Sequence, residues 1–304
     1  MMNTQIMKAA KVAKVPKVAK EPKVEKVPKE PHQKSKDEDV QLSRFIAVMS
    51  GTDGPIKQKI HAPFHALTGE TVASVAKAAG RGHHYDLVIT TESGKTYKVE
   101  HKGSCRHTPI AVDQAPWKTG VQFFNGPANK FTIGTIFARK WHAGLIESGA
   151  LSREYGVETP VPAYAEWSKD AFCQGKPKTA FVNELREKTD KGTKIAKSEM
   201  RGTFLREFAI SAEERQQMVA EVERQANSVL AEKELWLQIH GDIDGEFNIH
   251  WSPRVEPIRL TDVIVKTGGV NMEFDFVCDG APVIHSILRW GYGQGITNLR
   301  MDLK

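Results

Sequence analysis

Cysteine is scarce in this sequence and long apolar segments are missing, and each deficit argues against a class of protein. Only three of the 304 residues are cysteine, Cys105, Cys173 and Cys278, and they form no CxxC pair. This spacing argues against a disulfide framework or a zinc ribbon and favours a reducing compartment. Because no run of about 18 apolar residues occurs, the sequence predicts no membrane span. The charged N-terminus lacks the apolar region of a secretory signal, so we expect an intracellular protein of the cytoplasm or nucleus.

Positive charge is concentrated in the first 36 residues. They contain ten lysines and three glutamates, a net charge of +7, whereas the whole chain carries +6, which leaves −1 for the remainder. Eight of the lysines recur at every third position from Lys8 to Lys29. Prolines at every sixth position oppose helix and sheet, and an extended polyproline helix has about three residues per turn. We therefore predict a disordered cationic tail over residues 1–39 whose lysines line one edge.

A tail of this kind suits a polyanion such as DNA. Each neutralised phosphate releases counterions, which gives salt-sensitive attachment without sequence preference. The tail resembles the Lys/Pro/Ala-rich tails of linker histones, which implies nucleic-acid tethering or nuclear import. A solvated linker without a single partner is the alternative interpretation. The candidate contacts to nucleic acid are Lys11, Lys14, Lys17, Lys20, Lys23 and Lys26.

The remaining chain has the pattern of an α/β protein whose folded part begins near residue 40. Residues 67–79 carry apolar side chains at helical spacing, followed by glycine, and predict a helix. Residues 85–91 and 96–102 are β-rich, and the Glu-Ser-Gly-Lys sequence between them is typical of a turn. This segment therefore predicts a helix followed by a β-hairpin.

The second half changes from helical to β-rich near residue 236. Ser211 and Glu214 have the spacing of a capping box, in which each side chain satisfies an amide at the start of a helix. Five short β-rich runs separated by glycine and proline follow, and they predict an antiparallel meander. Helices are predicted within residues 129–145, 179–189 and 211–235, and strands at 236–240, 247–251, 261–266, 272–278 and 285–290.

The predicted hairpin carries charge where core residues are expected. Side chains two apart in a strand share a face, so Glu100 and Lys102 point together and His101 points to the opposite face. A carboxylate and an ammonium group on one face of an apolar hairpin are costly to bury alone. A metal-assisted hydrolytic site would account for them.

An aspartate, a hairpin turn and then Glu-x-Lys form the motif of the PD-(D/E)xK nuclease superfamily, which includes many restriction enzymes and Holliday-junction resolvases. Asp86 and the sequence Glu100-His101-Lys102 resemble this motif, although Tyr85 replaces its usual proline. The resemblance implies a restriction-endonuclease-like mixed sheet flanked by helices and a Mg²⁺-dependent DNA endonuclease that hydrolyses phosphodiester bonds. By that resemblance Asp86, Glu100 and the backbone carbonyl of His101 would bind Mg²⁺ or Mn²⁺, and Lys102 would orient or activate the attacking water. Mg²⁺ keeps several waters, so two carboxylates and a substrate phosphate suffice.

The length of the turn decides whether these side chains meet. Residues directly opposite each other in an antiparallel pair share a face. A two-residue turn at residues 93–94 would put Asp86 opposite His101, on the wrong face. A three-residue loop over 92–94 would put it opposite Glu100, and one over 93–95 opposite Lys102. We predict an odd-numbered loop or a bulge.

The resemblance implies further residues near the site. The superfamily often adds an acid from the helix before the hairpin, and Glu70 is the only carboxylate in that predicted helix. A plain solvent-facing glutamate is the alternative. The superfamily also frequently has a Gln or Lys on the helix after Glu-x-Lys, for which Gln122 or Gln114 is the candidate, with a surface amide as the alternative. We count Glu70 and Gln122 among the catalytic candidates.

The C-terminal run mixes cationic and aromatic residues around glycines. Arg289 and Arg300 could grip phosphate or read guanine, and Trp290 could stack on a base. A strand pair around a glycine turn is the alternative.

The sequence thus divides into a tail (1–39), a nuclease core (40–150), a helical segment (151–235) and a β-rich part (236–304) that is separate or completes the core sheet. The resemblance is specific over residues 65–125, and it implies DNA as partner and a homodimer, since most restriction-like nucleases cut both strands as dimers. It is compatible with an origin in a phage or a large DNA virus. The competing hypothesis is a non-catalytic nucleic-acid-binding or packaging protein that uses its tail.

Overall fold

The computed structural model describes residues 33–78, 84–104, 122–171, 179–189, 198–267, 271–291 and 295–303. The lysines predicted to contact nucleic acid, from Lys11 to Lys26, and the candidate Gln114 lie outside these residues. Residues 33–39, which we assigned to the tail, belong to the first helix.

Two of the described helices precede the first described strand, and the others lie between Pro127 and Leu235. Their bounds are α1 (Gln33–Ser50), α2 (Pro55–Thr68), α3 (Thr132–Trp141), α4 (Ala150–Tyr155), α5 (Tyr164–Ala171), α6 (Ala180–Lys188), α7 (Glu199–Glu207) and α8 (Ala212–Ala231). A 3₁₀ turn (Ala128–Lys130) precedes α3, and a π-helical segment (His142–Glu147) follows it. The capping box at Ser211 and Glu214 is formed as predicted. Within the described residues, no helix is both long and apolar enough to cross a membrane.

The described strands form two five-stranded sheets. They are β1 (Val72–Lys77), β2 (Leu87–Thr91), β3 (Thr96–Ser104), β4 (Gln122–Pro127), β5 (Leu235–Gly241), β6 (Phe247–Pro253), β7 (Asp262–Lys266), β8 (Met272–Cys278), β9 (Ala281–Gly291) and β10 (Gly295–Leu303). The first sheet has the order β1-β2-β3-β5-β6 and the second the order β4-β10-β9-β8-β7. In the first sheet β5 runs parallel to β3 while the other neighbours are antiparallel. The predicted α/β class with a mixed sheet and helices is therefore confirmed.

Helices α1 and α2 cover one face of the first sheet. The buried side chains of this face, among them Leu87, Val99 and Leu237, pack with Phe45 of α1 and Phe64 of α2. Alternation along each strand sends the intervening side chains to the other face. That second face carries the charged residues of β3, Glu100 and Lys102, together with Trp236 of β5.

A second core lies between the other helices and the second sheet. Phe137 of α3 and Val222 of α8 pack there with Phe274 and Leu288 of the sheet. Trp236 of β5 also belongs to this core, although its strand lies in the first sheet. Strand β5 is buried along nearly its whole length, because it contributes side chains to both cores.

The five β-rich runs predicted after residue 236 all form strands, but they divide between the two sheets. The meander is confirmed for β7 to β10, which pair in chain order. By contrast, β5 and β6 extend the first sheet beside β3. Residues 236–304 therefore complete one sheet and build most of the other.

The helix predicted over residues 67–79 is wrong. Helix α2 ends at Thr68, and β1 follows. The register of β1 with β2 shifts between Val72 and Ser74, so the strand contains a bulge. A bulge inserts one unpaired residue, which explains why the buried residues Val72 and Val75 are three positions apart instead of two. That spacing imitates the period of a helix.

Gly103 allows α1 to approach β3 next to the charged residues. A Cβ atom at this position would clash with Oε1 of Gln41 in α1 and would lie 2.8 Å from the backbone oxygen of Ile239 in β5. The backbone oxygen cannot move without disturbing the sheet. Close contact between α1 and β3 therefore depends on the missing side chain.

We predict that Gly103→Ala lowers the free energy of unfolding by about 1–3 kcal/mol, because overpacking forces side chains and backbone apart. Urea denaturation of the variant and the wild type measures this difference. Gly54→Ala is the matched control, since nothing lies within 4 Å of a Cβ atom there. Equal loss in both variants, or no loss in Gly103→Ala, would contradict the close contact.

Candidate active site

The β2–β3 loop sets the register of the charged residues. The Thr91 amide donates to the Lys95 carbonyl (2.8 Å), which leaves residues 92–94 as a three-residue loop. The glycine of this loop has a φ of +82°, in the left-handed region that favours glycine. Asp86 lies one residue outside the last pair of this register, Leu87 with Val99, and its carboxylate is close enough to that of Glu100 for the two to repel each other. The predicted odd-numbered loop is confirmed, in the form that brings these two carboxylates to one face.

Glu100 is the centre of a chain of ion pairs. Its Oε1 lies 2.8 Å from Nζ of Lys102, and its Oε2 lies 2.9 Å from Nζ of Lys233. The Lys102 ammonium is also 3.7 Å from Oε1 of Glu38, a residue of α1. Two of these four residues, Glu100 and Lys102, were predicted as site residues.

Asp86 joins the cluster through the backbone of β3. Its Oδ2 accepts a hydrogen bond from the His101 amide (2.9 Å), just before β2 begins and where β3 has no described strand as its partner on this side. Its own amide donates to the Val99 carbonyl (2.9 Å). These two bonds fix the Asp86 side chain against the strand that carries Glu100 and Lys102. The structure thus brings the three motif residues together.

Exposure decreases steadily through the cluster. The side chains of Glu38 and Lys102 are 38% and 30% exposed, Glu100 is 9% exposed, and Lys233 is 3% exposed. The Lys233 ammonium lies 4.9 Å from the centre of the buried Trp236 ring. The cluster therefore opens to solvent at Glu38 and Lys102 and is closed at Lys233.

Negative charge exceeds positive charge in this cluster. Three carboxylates, those of Glu38, Asp86 and Glu100, face two lysines. Burial raises the pKa of Asp86, and repulsion by Glu100 raises it further. Burial likewise raises the pKa of Glu38, although the Lys102 ammonium opposes this shift. The two lysines therefore do not offset the effects of burial and of mutual repulsion on the pKa values of Asp86 and Glu38.

The two lysines respond to the cluster in opposite directions. Burial alone would lower the pKa of Lys102, but Glu100 and Glu38 outweigh burial and raise it. Burial lowers the pKa of Lys233, against the attraction of Glu100. Lys102 is therefore a firmly protonated donor at the open end of the cluster.

The donor set fits a hard divalent cation bound through few protein ligands. Asp86 and Glu100 offer carboxylate oxygens on one face, and the cluster has a deficit of positive charge. Mg²⁺ is commonly held by one or two carboxylates, with water and substrate phosphate as the other ligands. In the part of the chain that the structure describes, no group of three or more His, Cys, Asp or Glu side chains is arranged to hold a metal. These residues therefore suit a metal ion that is held by two carboxylates, with water and phosphate as its other ligands. They do not suit an ion whose ligands all come from the protein.

His101 lies on the opposite face from Glu100, as predicted. Its ring is only 1% exposed and lies beside Gly103, on the face that α1 covers. Burial lowers the pKa of this imidazole to about 3, so the ring is neutral. His101 therefore contributes to the site through its backbone only.

The other predicted site residues lie away from the cluster. Glu70 lies between α2 and β1 and not in a helix, and it accepts a hydrogen bond from Ser93 Oγ (2.7 Å) in the β2–β3 loop. That loop is at the opposite end of β2 from Asp86. Gln122 begins β4, an edge strand of the second sheet, so its assignment to a helix is wrong.

The C-terminal candidates form part of the second sheet. Arg289 and Trp290 lie on β9 and Arg300 on β10, and these two strands pair with each other. Arg289 is exposed, whereas Nε of Arg300 donates to Asp302 (2.7 Å). The strand-pair interpretation is confirmed, and the nucleic-acid interpretation stays a prediction.

Three residues near the site were missed in the sequence. Glu38 lies in an acidic run that resembled the end of the tail, and Lys233 lies between two glutamates at the end of α8. Gln238 follows Trp236 by two positions on the Glu100 face of β5 and pairs in register with Lys102. It is 2% exposed, and its Nε2 has no hydrogen-bond partner within the described residues. A glutamine inside an apolar strand is the one signal that the sequence offered.

Comparison with known proteins adds no family to this description. No protein-family model matches the chain, and no curated protein is significantly similar to it.

We predict that Asp86→Asn stabilises the protein at pH 8 by on the order of 1 kcal/mol and that the gain disappears towards pH 4. The raised pKa means that the folded state holds the Asp86 proton to higher pH than the unfolded state does. The protonated Asp86 therefore contributes to the free energy of unfolding. This contribution is fully present below the pKa of the unfolded state and is lost as pH rises through the pKa of the folded state. An asparagine side chain is uncharged at every pH, so Asp86→Asn does not suffer that loss. Urea denaturation at several pH values measures the effect.

Asp39→Asn is the control for this prediction, because the Asp39 side chain is 69% exposed near the same end of the sheet. Its effect should stay within about 0.5 kcal/mol at every pH. If Asp86→Asn changed the free energy of unfolding by the same amount at every pH, or lowered it throughout, the pKa of Asp86 would not be raised in the folded protein.

Proposed function

We propose that this protein is a Mg²⁺-dependent DNA endonuclease of the PD-(D/E)xK type. The observation that carries the proposal is the buried carboxylate of Asp86 close enough to that of Glu100 to be repelled by it, with Lys102 ion-paired to Glu100. An ordinary surface hairpin gains nothing from burying such a group. Charge placed at a cost in folding energy is typical of a functional site.

The surrounding architecture supports the same proposal. The Glu-x-Lys strand β3 lies in the middle of a mixed sheet, between antiparallel β2 and parallel β5. Helices α1 and α2 cover the opposite face. A mixed sheet flanked by helices is the architecture that the resemblance implies. The motif lies where β3 extends beyond its pairing with β2, so within the described residues the backbone of β3 has no strand partner on that side.

The residues of the cluster suit phosphodiester hydrolysis. Asp86, Glu100 and the backbone carbonyl of His101 would hold Mg²⁺, which supplies charge neutralisation at phosphate and a more acidic bound water. Lys102 holds its proton and is the more exposed of the two lysines, so it can donate to a phosphate oxygen or to the attacking water. Asp86 is held by the His101 amide, which fixes its free oxygen relative to Glu100.

The basic tail supports DNA as the substrate. Its lysines give it a net positive charge, and α1 connects it directly to Glu38 at the open end of the cluster. Nucleic acid attached to the tail would therefore be held near the site. A packaging protein would also use this tail, but it would have no need for the buried Asp86 and Glu100 cluster.

We predict that Lys102→Met reduces Mg²⁺-dependent cleavage of supercoiled plasmid or branched DNA by at least about 100-fold, as loss of a charge-stabilising donor does in other enzymes. Lys98→Met is the matched control, because Lys98 is an exposed lysine two positions before Glu100 on the same face of β3. It should cleave at the wild-type rate. Wild-type protein that leaves both DNA forms intact with Mg²⁺ and Mn²⁺ would refute the proposal.

We predict that deletion of residues 1–32 weakens DNA binding and flattens its salt dependence while cleavage continues. The slope of log K against log salt should become shallower by roughly 0.9 for each phosphate that the tail no longer neutralises. Fluorescence anisotropy at several salt concentrations measures the slope, and single-turnover cleavage measures the chemical step. An unchanged slope would remove the tail from the binding surface.

A further inference from the structure

Glu100 is unusual because both of its oxygens are bound by lysines. Lys102 binds Oε1 from the open side of the cluster, and Lys233 binds Oε2 from the closed side. A carboxylate that bridges two metal ions uses both oxygens. In this structure the second oxygen already has a cation.

Lys233 is held firmly in this position. It follows the end of α8, where its amide donates to the Leu230 carbonyl (3.1 Å), and its side chain is 3% exposed. The ammonium lies against the face of the Trp236 ring, and the indole is fully buried. Lys102 differs, because its partly exposed side chain can turn towards solvent when another cation arrives. Lys233 has no comparable path to water.

We propose that Lys233 is a resident counter-cation of the candidate metal site, which restricts the site to one divalent ion on the solvent side of Glu100 and weakens the binding of that ion. The inference rests on the proposed function. An ion held by Oε1 would share one carboxylate with the ammonium on Oε2, so the two would repel each other within the Debye length, where salt screens them little. Asp86 and Glu38 provide the attraction that this repulsion reduces.

Mn²⁺ binding to the full-length, metal-free protein tests the proposal without DNA or turnover. Electron paramagnetic resonance of free Mn²⁺ and titration calorimetry at pH 8 give the affinity and the number of ions. We expect one ion in the wild type and at least about tenfold tighter binding in Lys233→Met, because the repulsive charge is gone. Lys233→Arg should bind as the wild type does. Lys98→Met removes an exposed charge from the same face and should change the affinity by less than about threefold.

Equal or weaker Mn²⁺ binding by folded Lys233→Met, or two ions in the wild type, would overturn the inference. If Lys233→Met does not fold, Lys233→Gln keeps a donor to Glu100 without the charge and should bind Mn²⁺ more tightly. If neither variant folds even with Mn²⁺, Lys233 is structural and the inference is wrong. Wild-type protein that binds no Mn²⁺ and cuts no DNA would overturn the proposed function itself. Binding and cleavage by the wild type with no gain in Lys233→Met would overturn the inference alone.

Discussion

The ion pairs of Glu100 with Lys102 and Lys233 are the interaction on which the candidate site depends. A buried carboxylate without partners would be neutralised or would destabilise the fold by several kcal/mol. Two ammonium groups contact the Glu100 carboxylate, which is only 9% exposed, and offset the cost of its burial. Burial, together with repulsion by Glu100, raises the pKa values of Asp86 and Glu38 in the same cluster. Glu100 therefore has two cationic partners, whereas burial disfavours the ionised form of the other two carboxyl groups.

Backbone geometry determines which side chains enter this arrangement. The three-residue loop sets the register that brings the Asp86 carboxylate near that of Glu100, and a loop shorter by one residue would turn Asp86 to the face that α1 and α2 cover. Gly103 then lets α1 lie close to β3, so that Glu38 reaches Lys102. The parallel strand β5 places Gln238 beside Lys102. Each of these arrangements depends on a local backbone feature and not on a strong side-chain preference.

Local patterns in the sequence predicted the hairpin, the capped helix α8 and the strands after residue 236, because each follows from spacing within one element. Strand alternation predicted that Glu100 and Lys102 share a face, whereas Asp86 was identified through its resemblance to the nuclease motif. Val72 and Val75 indicated a helix wrongly, because a bulge changed the strand period to three. Glu38, Lys233 and Gln238 come from distant segments, and only the tertiary fold brings them to β3. Apart from the glutamine inside the apolar strand β5, no local pattern in their neighbourhoods indicates such a partner.

The position of a bound ion tests the central claim most directly. Anomalous diffraction from crystals soaked in Mn²⁺ locates that ion without reference to activity. We predict one anomalous peak beside the carboxylates of Asp86 and Glu100, on the side of Glu100 that Lys102 occupies. A peak remote from both carboxylates, in crystals of a protein that cleaves DNA with Mn²⁺, would contradict the assignment of this cluster as the active site.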